Sequence, residues 1–176
     1  MTDKNELRKN AFEKRNALSE NEIKQKSKII CEKLLPYLQD KMILSYYPFK
    51  SEVDVSMINE SFKVAYPVVY GGKYMDAFIP QNGIFTINEY GINEPDPDDS
   101  TLIDSSQIEV IIVPLVGFDR NRNRLGYGKG YYDRYMNDFE GLKIGVAFAE
   151  QETAAIDTEK NDVQLDIIIT DKDIIS

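Results

Sequence analysis

The sequence predicts a three-layer α/β domain built around a mostly parallel mixed sheet. Three observations predict it: a nearly unbroken apolar run at 108–113, two further β-type runs at 142–148 and 163–170, and amphipathic helical stretches set before and between such runs. A run apolar on both faces reads as a strand buried in a parallel sheet, and strands alternating with helices are joined by crossovers that cover its faces. The 176 residues suffice for one domain, 1–176, with a sizeable core.

In order, residues 3–17 predict a helix with Leu7, Ala11 and Leu18 spaced for one face. Ser19 and Glu22 have capping-box spacing and open a second helix, with Ile23, Ile30 and Leu34 on its buried stripe and Pro36 at its end. A short strand at 42–47 stops at Pro48, and a polar loop over 49–54 leads into a helix through Val55, Ile58 and Phe62. Residues 63–70 and 73–79 predict two strands joined by a two-residue turn at Gly71-Gly72, which makes the sheet mixed. Pro67 places an edge or bulge in the first of them. The stretch 82–100 reads as a long connection whose aspartates, Asp96, Asp98 and Asp99, form a solvated surface. A helix over 131–139 and the strands at 142–148 and 163–170 complete the domain.

Composition narrows the chemistry. There is no histidine, which removes Ser-His-Asp and Cys-His nucleophiles, imidazole acid-base catalysis and Cys-His zinc sites. The single cysteine, Cys31, sits in a helix at an apolar position and reads as a buried small hydrophobe. A formal net charge of -9 argues against nucleic-acid partners. No run of about 18 apolar residues occurs, so no membrane span is expected. The mixed-charge N-terminus resembles no signal peptide. A cytoplasmic monomer acting on small molecules is expected. Carboxylates, Lys, Arg, Tyr and backbone amides remain, and these suit phosphoryl transfer.

The segment 114–135, PLVGFDRNRNRLGYGKGYYDRY, is where such chemistry is concentrated. Arg120, Arg122, Arg124, Lys129 and Arg134 are five of the chain's 21 basic residues, set in an acidic protein. Gly126, Gly128 and Gly130 alternate among them and let backbone N–H groups approach a ligand closely. A strand, a glycine loop and a helix start form an anion site. The spacing fits neither a P-loop nor a dinucleotide fingerprint. By residue type alone the loop serves equally well as a charge-balancing turn with solvated arginines; rival functional readings are the anion loop of a phosphosugar isomerase or acyl-transfer enzyme and an RNA-binding surface, the last disfavoured by net acidity.

The longer string VPLVGFD followed by NRLGYGKGYYDRY resembles the signature of the 5-formyltetrahydrofolate cyclo-ligase family, also called methenyltetrahydrofolate synthetase. The resemblance implies a Rossmann-like fold and an ATP- and Mg2+-dependent closure of 5-formyltetrahydrofolate to 5,10-methenyltetrahydrofolate, with release of ADP and phosphate. It assigns Arg124 and Lys129 to catalysis. Lys4, Arg8, Arg124, Gly126, Gly128, Lys129, Gly130, Tyr131 and Tyr132 go to ATP. Tyr47, Phe49, Glu52 and Tyr131 go to the folate, the Glu52 carboxylate accepting the pterin's paired N–H groups. Asp133 and Asp162 go to Mg2+, two carboxylates being enough for an ion that also takes phosphate oxygens. The chain departs from the pattern at Tyr127, where relatives have arginine, and at Asn161, where they often show histidine.

Overall fold

Two helices lead the chain, and their caps explain where they start. A computed structural model describes residues 3–176. Asp3 caps α1 (Lys4–Asn16) by accepting from the Asn5 N–H at 3.1 Å. Ser19 and Glu22 exchange both hydrogen bonds of the capping box at the start of α2 (Glu20–Leu38). Pro36 does not end α2, contrary to expectation. The carbonyl that its missing N–H leaves unpaired belongs to Glu32, an exposed residue, while Leu34 and Leu38 anchor the last turns in the core with no exposed surface.

The remaining elements are β1 (Ile43–Leu44), α3 (Ser56–Ser61), β2 (Val64–Tyr70), β3 (Tyr74–Pro80), β4 (Phe85–Ile87), β5 (Asn93–Pro95), β6 (Ser100–Ile103), β7 (Val110–Pro114), β8 (Gly117–Phe118), β9 (Arg124–Leu125), α4 (Tyr131–Met136), β10 (Leu142–Val146), β11 (Ile167–Ile169) and β12 (Ile174–Ile175). Eight strands form the main sheet in the order β12-β11-β10-β7-β1-β2-β3-β6. The five from β11 to β2 are parallel, while β12, β3 and β6 each pair antiparallel with their neighbour, so the sheet is mixed and mostly parallel.

Alternation along each strand sorts two cores. Ile43, Val110, Ile112 and Ile144 pack with Ile30, Leu34 and Leu38 of α2 and Ile58 of α3 on one face. Leu44, Ile111, Val113 and Ile168 pack with Met136 of α4 on the other. The predicted three layers are therefore present, one helical layer reduced to α4. A third cluster holds α1, whose Leu7 and Ala11 rest on Val116 and Leu125, in and beside the small β8–β9 hairpin, and on Ile156.

Several local expectations are revised. The β2–β3 turn has three residues, because Tyr70 pairs with Tyr74 and both Gly71 and Gly72 take left-handed φ. Pro67 costs no ladder bond: the N–H of Val69, on the same edge two residues on, is bonded to Glu94 and not to β3. The connection 82–100 contains the β4–β5 hairpin, which short polar strands concealed. The run at 163–170 is strand only at its end, since the Val163 and Leu165 N–H groups bond Asp133 and the Arg122 carbonyl, and it is followed by β12.

Candidate active site

The order of the sheet reverses at β1, with β2 on one side and β7 on the other, and ligands of α/β sheets sit outside the strand C-termini at such a point. A cleft of about 1110 Å³ opens there. The chain leaving β1 supplies Tyr46 to Glu52, the chain leaving β7 supplies Pro114 and then the glycine loop, α1 closes one side and the β4–β5 hairpin another. All fourteen residues that the resemblance assigns to catalysis, ATP, folate or metal line this one cleft.

At one end stand the cations. Arg124, on β9, has a side chain only 6% exposed and places Nη2 2.8 Å from Asp133 Oδ1. Its Nε is buried with no partner, a donor aimed at nothing in the protein. Lys129 is exposed, makes no ion pair among the described residues and lies 6.0 Å from the Tyr90 ring centre. Arg8 reaches from α1 to the Gly126 carbonyl at 2.9 Å. Gly128 and Gly130 have φ of +94° and +71°, and a Cβ on Gly130 would stand 2.9 Å from Arg134 Nη1. The other loop cations are structural: Arg134 donates to the carbonyls of Lys73 and Lys129, Arg122 to that of Leu165, and Arg120 pairs with Glu152 and Asp173 on the surface. The five-cation cluster thus contributes two side chains to the cleft.

Two aspartates sit beside them. Asp133 Oδ1 takes both Arg124 and the Val163 N–H. Asp162, the residue before Val163, receives Lys4 Nζ at 2.6 Å and the Glu159 N–H at 2.8 Å, both on Oδ2. Burial alone would raise the Asp162 pKa, but these hydrogen bonds outweigh it and hold the carboxyl below its usual range. Each aspartate therefore concentrates its contacts on one oxygen, and among the described residues the other, Asp133 Oδ2 and Asp162 Oδ1, has no partner. Two hard oxygen donors joined through adjacent residues beside a phosphate-type loop fit a magnesium ion.

At the other end the surface is apolar, with one carboxylate. Glu52 is only 6% exposed. Its Oε1 accepts from the Tyr127 hydroxyl at 2.7 Å and its Oε2 from the Phe49 N–H at 2.9 Å. Burial pushes its pKa up, and Tyr127, Phe49 N–H and Arg15 pull against that. Tyr47 packs on Phe85 at 5.4 Å between ring centres, and Phe49 lies under Gly91, so the β4–β5 hairpin builds the aromatic wall. Tyr131 and Tyr132 open α4: the Tyr131 hydroxyl meets that of Tyr90 at 3.0 Å, while Tyr132 lies under Arg124, its pKa raised by burial.

Sequence reasoning missed Tyr90, Tyr46 and Arg15. Tyr90 lies in a turn of a polar connection with no periodicity to flag it. Arg15 had a signal, since it follows Arg8 by seven residues and shares its helix stripe. Asp119 was missed too, a buried carboxylate that accepts from the N–H groups of Asn121, Asn123 and Ile156 and from the Asn123 side chain, holding the turn that precedes Arg124.

A Rossmann-like sheet whose switch point opens into a deep, chemically two-ended cleft defines an α/β enzyme acting on small molecules. Comparison with known proteins makes the class specific. The model of the 5-formyltetrahydrofolate cyclo-ligase family matches residues 1–171. The 5-formyltetrahydrofolate cyclo-ligase of Mycoplasma pneumoniae is 37% identical, covering 97% of this chain and 99% of the relative. The solved structure of a 5,10-methenyltetrahydrofolate synthetase from Mycoplasma pneumoniae superposes with a TM-score of 0.79 at 31% identity, over 97% of this chain and 99% of that one. The corresponding synthetase of Aquifex aeolicus gives 0.85 at 31% identity, over 97% and 91%. The chain belongs to the 5-formyltetrahydrofolate cyclo-ligase family and is a ligase of folate metabolism.

Proposed function

We propose that the protein closes 5-formyltetrahydrofolate to 5,10-methenyltetrahydrofolate in a reaction that consumes ATP and requires Mg2+. The observation that carries this reading is the two-ended cleft: Arg124, Lys129, Lys4 and Arg8 at one end and Glu52 among aromatic rings at the other, in a space just above the about 300–1,000 Å³ range of small-molecule pockets, large enough for two ligands.

The formyl oxygen is a poor leaving group until it is phosphorylated. In the proposed sequence it attacks the γ-phosphorus and ADP departs. N10 then adds to the activated carbon and loses its proton, and phosphate leaves with the former formyl oxygen. Glu52 accepts the paired N–H groups of the pterin and sets the ring's orientation, Tyr47 and Phe49 flank it, and Tyr131 stands where the two ligands meet. Lys4, Arg8 and the backbone of Gly126, Gly128 and Gly130 hold phosphate oxygens. Arg124 and Lys129 face the transferring group and offset the charge that grows there, with the Tyr132 ring 6.0 Å from the Arg124 guanidinium. Asp133 and Asp162 would hold Mg2+, which when bound neutralises phosphate charge. No enzyme nucleophile is required, in agreement with a chain that has no histidine.

The test is phosphate release from ATP with and without 5-formyltetrahydrofolate, and with and without Mg2+, for wild type and Arg124→Ala. Release that needs both folate and metal and collapses in the variant is expected. Release indifferent to the folate would overturn the reading.

A further inference from the structure

Behind Glu52 lies a buried arginine that the scheme above leaves idle. Arg15, on α1, is 2% exposed and forms no ion pair among the described residues. Its Nη2 donates to the Tyr127 hydroxyl oxygen at 3.4 Å, its Nε to Ser51 Oγ at 3.1 Å and its Nη1 to the Leu115 carbonyl at 3.5 Å. Tyr127 in turn donates a hydrogen bond to Glu52 Oε1 at 2.7 Å. A buried cation with no adjacent anion is costly. The carboxylate one hydroxyl away is the charge that answers it.

The loop is held so that this contact persists. Phe12, one turn before Arg15, meets the Tyr127 ring at 5.6 Å and lies 5.0 Å from the Arg15 guanidinium. Arg8, two turns before, grips the Gly126 carbonyl, so one stripe of α1 fixes consecutive loop residues. Although Tyr127 is 47% exposed to the cleft, its hydroxyl points inward. Burial, then the Glu52 charge, raises the Tyr127 pKa, so the hydroxyl stays protonated and can only donate to Glu52.

Resting on the proposed function, we propose that Arg15 and Tyr127 are positioning residues for the pterin: Arg15 polarises the Tyr127 hydroxyl, and Tyr127 with the Phe49 N–H orients both Glu52 oxygens toward the paired N–H groups of a 2-amino-pyrimidinone edge. A hydroxyl polarised by a cation on one side and an anion on the other makes a stronger hydrogen bond than a neutral pair. The groups facing Glu52 are Arg15 from α1, Tyr127 from the loop, Tyr46 from the end of β1 and Tyr132 from α4, and of these only Arg15 carries charge. Removing either Tyr127's hydroxyl or Arg15's charge thus leaves the carboxylate buried with less to keep it ionised.

The experiment compares wild type with Tyr127→Phe, Arg15→Met and Arg15→Lys, measuring KM for 5-formyltetrahydrofolate, KM for ATP and the pH profile of kcat/KM for the folate, together with calorimetric binding of the folate alone. Expected for Tyr127→Phe is a rise in folate KM and Kd of about tenfold, as for loss of a hydrogen bond to a charged group. The ATP KM should change less than about twofold, and the acid limb of the profile should move to higher pH. Arg15→Lys should recover part of what Arg15→Met loses. Folate affinity unchanged in Tyr127→Phe, or ATP and folate KM rising together, would overturn the inference. Tyr127→Phe decides the matter if Arg15→Met fails to fold. Failure of the proposed function looks different: wild type would bind the folate without consuming ATP, and the binding arm would still report on Tyr127.

Discussion

Arg124 Nη2 and Asp133 Oδ1 stand 2.8 Å apart, and this pair joins the start of β9 to the first turn of α4. The guanidinium is nearly enclosed, so its position is set before any ligand arrives. Arg124→Ala should lower kcat by about 10²- to 10³-fold, the usual cost of removing one donor to developing charge. Arg124→Lys should lose less, keeping charge but not the planar fork. Steady-state phosphate release checks both, with circular dichroism to show that each variant folds.

Among the described residues Asp133 Oδ2 has no partner, while Oδ1 is doubly engaged. Asp133→Asn should therefore raise the Mg2+ concentration for half-maximal turnover on the order of tenfold. A chelator should abolish turnover in wild type and variant alike. Titrating Mg2+ at fixed ATP measures the shift.

Glu52 carries a folded-state pKa above its usual 4.5 because burial opposes its charge. A carboxyl shifted upward adds stability that is present below the unfolded pKa and is lost as pH rises through the folded one. Relative to wild type, Glu52→Gln should gain stability as pH goes from about 4 to about 7 while losing folate binding. Urea melts across that range, with calorimetric binding at neutral pH, test both halves.

Cys31 is buried against the α2 core and its thiol pKa is pushed up to about 12, burial being the main cause. A thiol-specific reagent at about pH 8 should leave it unmodified in the folded protein and react once denaturant opens the core.

Gly145 lies in β10, where a Cβ would come within 2.5 Å of Leu165 Cδ1 and 2.8 Å of Leu115 Cδ1. Gly145→Ala should cost about 1–3 kcal/mol of stability through overpacking. Equilibrium urea unfolding reads this directly.

What could be read in advance divides along physical lines. Signals carried by neighbours in sequence were legible: the Ser19–Glu22 cap, the apolar run that became β7, the parallel core and the cations and glycines of one loop. The sequence also named side chains that the fold gathers into one cleft from positions as distant as Lys4 and Asp162. What stayed hidden depends on partners far along the chain. The β4–β5 hairpin has three-residue strands with little apolar alternation, so the wall it builds around Tyr47 and its Tyr90–Tyr131 contact had no local signature. The α2 end at Leu38 was hidden because tertiary burial of Leu34 and Leu38 overrides the proline.

The seat of α1 has a consequence of its own. This helix leans on a two-strand flap through a few small apolar contacts, while the eight-strand sheet is cemented by two larger cores. Sub-global opening should thus release the leading helix first, and with it Lys4, Arg8 and Arg15 in one event. Catalytic competence would then vanish at a denaturant level where the sheet is still intact, and amide exchange along 4–16 would outpace that along 110–114.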